Sequence, residues 1–194
     1  MAHPLPCPPA FLAAAVLLCL CAACQDGSTP PAPAMPQTPA PDLVRLAHAA
    51  FTAGDYPRAR DLLAQARTRE PLLVDAWIGS AETAVHTNEA KDAVEYLGTA
   101  KKLLDNADAA WMEPRDRDNP RVEATIESLM GTAHVIMGKE RYAAGDQQEA
   151  NRQFTQAEKH LRNALNLYPD MEAAKSQLDF LLNRLTPEEA TPAP

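Results

Sequence analysis

From Asp42 to Leu185 the hydrophobic positions recur in steps of three and four, and nowhere do they settle into the alternation of a half-buried strand. Leu43, Ala47 and Ala50, then Gly54, then Ala59, Leu63 and Ala66 describe two short helices joined by a turn. The block returns 34 positions later as Trp77, Ala81, Ala84, Asn88, Ala93, Leu97 and Ala100. It returns again at a constant offset of 57, where Gly138, Tyr142, Gly145, Ala150, Phe154 and Ala157 match Ala81, Val85, Asn88, Ala93, Leu97 and Ala100. Alanine at the matching points lets antiparallel helices approach closely, and Gly54 or Asn88 can take the left-handed conformation that stops a helix. Asp55 then caps the second helix, with Pro57 in its first turn, where a missing N–H costs nothing.

The larger second offset predicts an insertion. Part of it is the loop-like stretch Asp105 to Asn119; part is an early start to the third pair, with Asn119 as N-cap and Pro120 at the first helical position. The partner helix, capped by Asp146 with Glu149 three residues on, runs to Tyr168 before Pro169. Both extensions fall at one end of the hairpin, making it about 10 Å taller at 1.5 Å per residue. Asp170 then caps a last helix whose Met171, Ala174, Leu178, Leu181, Leu182 and Leu185 form one stripe. Such a terminal helix is needed because each repeat buries its face only against a neighbour. The prediction is an all-α solenoid over 42–185: repeats at about 40–73, 74–105 and 120–169, a capping helix at 170–185, and a disordered tail at 186–194.

The 34-residue period, the small residues at helix contacts, the Gly or Asn between helices and Pro71 closing the unit resemble the tetratricopeptide repeat. That resemblance implies a module for a protein or peptide partner, with an inner face built from the first helix of each pair. Carried over, that face comprises Val44, His48, Phe51 and Thr52; Ile78, Glu82, Val85 and His86; Val135, Lys139, Tyr142 and Ala143. Phe51, Val85 and Tyr142 are equivalent and form a ladder, beside a polar row of His48, Glu82 and Lys139. An apolar groove of this kind suits an amphipathic helix or an extended apolar peptide. It lacks the Lys/Asn/Arg clamp that some relatives use for acidic C-termini, since Val44 and Gly79 stand where polar residues are required. The same side chains could instead complete the core beneath the N-terminal linker or the insertion, and the tall third hairpin is the other candidate surface.

The leading fifth of the chain follows different rules. Ala10 to Ala23 is an unbroken apolar run, the length of a signal h-region and too short to span a bilayer. Ala22 and Ala23 before Cys24 resemble the lipobox of bacterial lipoproteins, although Cys21 replaces the usual Leu three places earlier. The resemblance implies a signal peptide at 1–23, lipid attachment at Cys24, and, with Gln25 next, an outer-membrane address facing the periplasm. The alternative is a plain secretory signal cleaved nearby. Gln25 to Pro41 is rich in Pro and poor in apolar residues, so 24–41 reads as a lipidated cysteine and an extended linker.

Composition narrows the chemistry. The formal net charge of −8, with no Lys/Arg cluster, argues against nucleic acid, because phosphate neutralisation needs a basic surface. Cys7, Cys19, Cys21 and Cys24 all sit in the leader, so the helical region holds no disulfide or thiolate site. None of the familiar catalytic spacings occurs, and with 7 glycines phosphate cradles are scarce. No enzyme activity, small-molecule substrate or cofactor is expected. His48, Glu82 and His86 have metal-ligand types, but isolated histidines on helix faces are commonplace and no metal is expected. Trp111 and Met112 in the insertion are expected to tuck against the helices. The functional expectation is a membrane-tethered interaction scaffold, similar to the tetratricopeptide lipoproteins that help assemble pilus, secretion or envelope complexes. The alternatives are a structural accessory that self-associates through the third hairpin, and a metal protein or enzyme on the same helices.

Overall fold

The computed structural model describes residues 38–106 and 120–185. The apolar leader, Cys24, the Pro-rich linker up to Gln37, the stretch 107–119 with Trp111, Met112 and Asn119, and the tail lie outside the described residues. Among the described residues there are seven helices and no strand: α1 (Ala40–Thr52), α2 (Tyr56–Arg69), α3 (Val74–His86), α4 (Ala90–Asp105), α5 (Pro120–Ala143), α6 (Gln147–Leu167) and α7 (Glu172–Leu185). None of them is long and apolar enough to cross a membrane. They pair as α1–α2, α3–α4 and α5–α6, each pair packing on the next, with α7 against α6.

All three intra-pair turns use one device. Gly54, Asn88 and Gly145 take positive φ values of 78°, 60° and 81°. In each turn two amides reach back to the last turn of the helix just ended: Gly54 N–H to Phe51 O and Asp55 N–H to Ala50 O, both at 2.9 Å, with the same pattern at Asn88/Glu89 and Gly145/Asp146. This is the Schellman arrangement, which satisfies carbonyls a helix end leaves open. Asp55 and Asp146 then cap α2 and α6 by accepting from Arg58 N–H and Glu149 N–H. The Glu149 carboxylate does not bond back to the Asp146 N–H. Asp146 N–H is already taken by Arg141 O, and Glu149 instead accepts from Gln153 at 2.6 Å. Glu89, the counterpart of Asp55, makes no cap with its side chain and bridges to Arg60 of the first pair at 2.6 Å.

Alanine sets the helix spacing. Ala59, Ala93 and Ala150, equivalent in the three pairs, are all 0% exposed. In the third pair Gly138 replaces Ala81 while Phe154 replaces Leu97, a small-for-large exchange: a Cβ on Gly138 would lie 2.5 Å from the Phe154 ring. The third hairpin is the long one, with 24 residues in α5 and 21 in α6 against 13 and 14 in the first pair. Its open side is closed by α7, whose Ala174 and Leu181 are buried against Leu161 and Ala164. Thr132 of α5 also bonds Gln177 of α7 at 2.8 Å. Asp170 is not the N-cap of α7, which begins at Glu172; Asp170 belongs to a turn tied by Met171 N–H to Tyr168 O. At the junction of the first two pairs, the Arg67 guanidinium lies 4.9 Å from the Trp77 ring and 4.3 Å from that of Tyr96, while Trp77 Nε1–H donates to Pro71 O.

Candidate functional site

α1 and α3 lie side by side, and a cleft of about 230 Å³ opens between them. Val44, His48 and Phe51 come from α1, Ile78 and Glu82 from α3, so five of the predicted inner-face residues meet in one place. Its floor comes from Leu63 of α2, seen past Gly79, where a Cβ would come within 2.9 Å of Leu63 Cδ2. The absence of a side chain at position 79 therefore gives the cleft its depth. Asp75 lies at the start of α3, on the rim. His48 is exposed, while Glu82 is half-buried and makes no hydrogen bond or ion pair among the described residues.

Phe51 is braced from behind. Its ring meets Tyr56 edge-on at 5.4 Å and His86 at 4.8 Å, and Tyr56 and His86 stack at 5.8 Å. His86 is thus part of an aromatic cluster beside the cleft. Val85 and Val135, at 9% and 7% exposure, sit in the hydrophobic core. Tyr142 is 56% exposed near the end of α5, so the ladder of Phe51, Val85 and Tyr142 does not run as one wall. Lys139, one turn before it, holds its ammonium 4.8 Å from the ring of Phe180 on α7. The capping helix therefore engages the third pair where the first two leave their cleft. Among the described residues no three His, Cys, Asp or Glu side chains converge as a metal site, and His48, Glu82 and His86 do not form one.

A second concentration of polar groups lies inside the long hairpin, where sequence reasoning gave no hint of one. Glu127 of α5 is 3% exposed, and its carboxylate accepts from Lys101 of α4, from His160 at 2.8 Å and from Asn163 at 3.3 Å. The bond from His160 leads in holding its pKa at about 2; burial pushes the other way, and Lys101 and Asn163 add to the lowering. Bonding to Glu127 raises the Lys101 pKa in turn. The His160 ring stacks parallel to His134 at 5.4 Å, and His134 bonds Gln153 at 2.7 Å. Burial lowers the His134 pKa, with Gln153 opposing and His160 assisting. A carboxylate with three donors around it is a satisfied lock between α4, α5 and α6. Glu127 lies in the early start of α5, outside the repeated block, and an isolated acid on a helix reads in sequence as a solvated residue.

A family model described as tetratricopeptide repeat matches residues 50–112. Among solved structures, the chain is similar to one described as the first TPR of Spaghetti (RPAP3) bound to HSP90 peptide SRMEEVD, at 17% identity and a TM-score of 0.53 over 75% of this chain and 92% of that one. No curated protein matches the chain in sequence. Together with the three helix pairs, these matches make the described region an all-α, tetratricopeptide-like solenoid.

Proposed function

We propose that this chain is a membrane-tethered protein–protein interaction scaffold of the bacterial cell envelope that holds a peptide or helix of its partner in the cleft between α1 and α3. The observation that carries the reading is the cleft itself: an apolar floor of Leu63 laid open by Gly79, walls of Val44, Phe51 and Ile78, and a few polar groups, His48, Asp75, Glu82 and Thr83. Apolar depth with a few placed polar groups is the usual make-up of a recognition site. The solved neighbour is a protein of this fold with a peptide bound, which supports a peptide as the occupant. The tether rests on the apolar leader, Ala22-Ala23-Cys24 and the Pro-rich segment. No catalytic constellation enters the reading.

Photo-crosslinking tests it. A photoreactive residue in place of exposed His48 should yield one discrete adduct in cells, lost when Ile78→Asp places a charge in the cleft. Adducts that persist with Ile78→Asp, or that form equally from a photoreactive residue at exposed Lys159 on α6, would overturn the cleft as the binding surface.

A second reading has its own observation. Tyr142 and Phe180 are 56% and 43% exposed beside Lys139, an apolar surface at the third hairpin suited to self-association. Sedimentation of the full chain over a hundredfold concentration range decides it: a constant monomer mass removes this alternative.

A further inference from the structure

The charge around the cleft specifies more than an apolar occupant. Ten residues line it; Asp75 and Glu82 carry carboxylates, and none is Lys or Arg. The two acids are seven residues apart on α3, two helical turns, so they stand about 10 Å apart along the same face. The apolar depression holds about 230 Å³, which exceeds the about 150 Å³ of a cavity that admits benzene, so one Leu- or Phe-sized side chain fits. Glu82 is the informative group. Three other half-buried acids of the solenoid are paired: Glu89 with Arg60, Glu149 with Gln153 and Arg152, and Glu158 with Arg162. Glu82 alone faces the cleft with no partner among the described residues. A carboxylate whose water is displaced by an apolar ligand loses solvation unless the ligand supplies a donor.

We infer that the occupant is a cationic segment of a partner protein, one large apolar side chain seated between Val44, Phe51 and Ile78 and a Lys or Arg beside it bonded to Glu82. An acidic segment is disfavoured at the same place, because it would bring like charge against a half-buried carboxylate. The inference rests on the cleft being the binding surface, and the test separates the two.

Three terminally blocked dodecapeptides with one Leu anchor and flanking Lys, Gln or Glu residues are titrated against the full chain by fluorescence anisotropy in low salt. The Lys peptide should bind about fivefold tighter than the Gln peptide, the yield of one ion pair, and the Glu peptide weakest. Glu82→Gln should erase most of that spread, and Glu82→Lys should invert the order. Should the Glu or Gln peptide bind as tightly as the Lys peptide, with binding lost in Ile78→Asp, the charge inference falls and the cleft stands. Absence of binding by all three, or Gln-peptide binding that Ile78→Asp leaves unchanged, sinks both.

Discussion

Glu127 shows how a single residue can carry the specificity of a helix pair. Its carboxylate is buried and held by three donors, so removing it leaves Lys101, His160 and Asn163 without that acceptor. Glu127→Ala should cost about 3 to 5 kcal/mol in urea unfolding at pH 7, the range for breaking a buried ion pair from one side. The pH dependence has a defined sign. The Glu127 pKa falls from 4.5 unfolded to about 2 folded, so its contribution is complete above about 4.5 and is lost as pH drops toward 2. A shift of that size corresponds to about 3 kcal/mol. His134 is also lowered in the fold, from 6.5, so its share is complete above 6.5 and begins to be lost as pH falls below that. Stability should therefore fall in two acid limbs, and Glu127→Gln should flatten the lower one. A parent-like acid limb in that variant would mean that the carboxylate is not engaged. Tyr142 offers the opposite case. At 56% exposure, Tyr142→Ala should move stability by no more than about 0.5 kcal/mol, while Val85, its equivalent at 9% exposure, belongs to the core.

At the scale of the helices, most of the architecture is legible in the residue types. The left-handed positions Gly54, Asn88 and Gly145, the caps Asp55 and Asp146 and the contact alanines are local requirements, and local requirements are written in local residue types. What escaped reading depends on which face of one helix meets another. Leu63 floors the cleft from α2 because Gly79 on α3 leaves room, and neither residue announces that alone. Val135 and Lys139 were readable as inner-face positions, but the seating of α7 decided their surroundings. The glycines give a matched test. Gly98 in α4 has nothing within 4 Å of an added Cβ, so Gly98→Ala should stabilise by about 0.5 to 1 kcal/mol through the unfolded chain. Gly138→Ala makes the same chemical change against the Phe154 ring at 2.5 Å and should destabilise by about 1 to 3 kcal/mol. Melting followed by circular dichroism reads both; equal shifts would mean that the third hairpin packs in a different register.

The whole molecule joins two segments with different physical requirements. The solenoid needs neighbours on both faces and obtains them from its own helices, since α7 closes the far end and α1 and α2 form the near one. The leader differs in sequence: Ala10 to Ala23 is apolar and Gln25 to Pro41 is polar and Pro-rich. Under the proposed reading the first targets the chain and the second spaces the cleft from the membrane, by up to about 50 Å at 3.1 Å per extended residue. Under the same reading Cys24 decides where the cleft works, because a lipid there converts a diffusing peptide binder into one confined to a surface. Cys24→Ala should shift the protein from the membrane to the soluble fraction. The helical circular dichroism should stay unchanged, since the described helices begin only at Ala40. Intact mass of the parent should show acyl chains on an N-terminal cysteine. A Cys24→Ala protein that still sediments with membranes, or an unacylated mature N-terminus in the parent, would remove the tether and leave the cleft to be explained as the site of a secreted, freely diffusing binder.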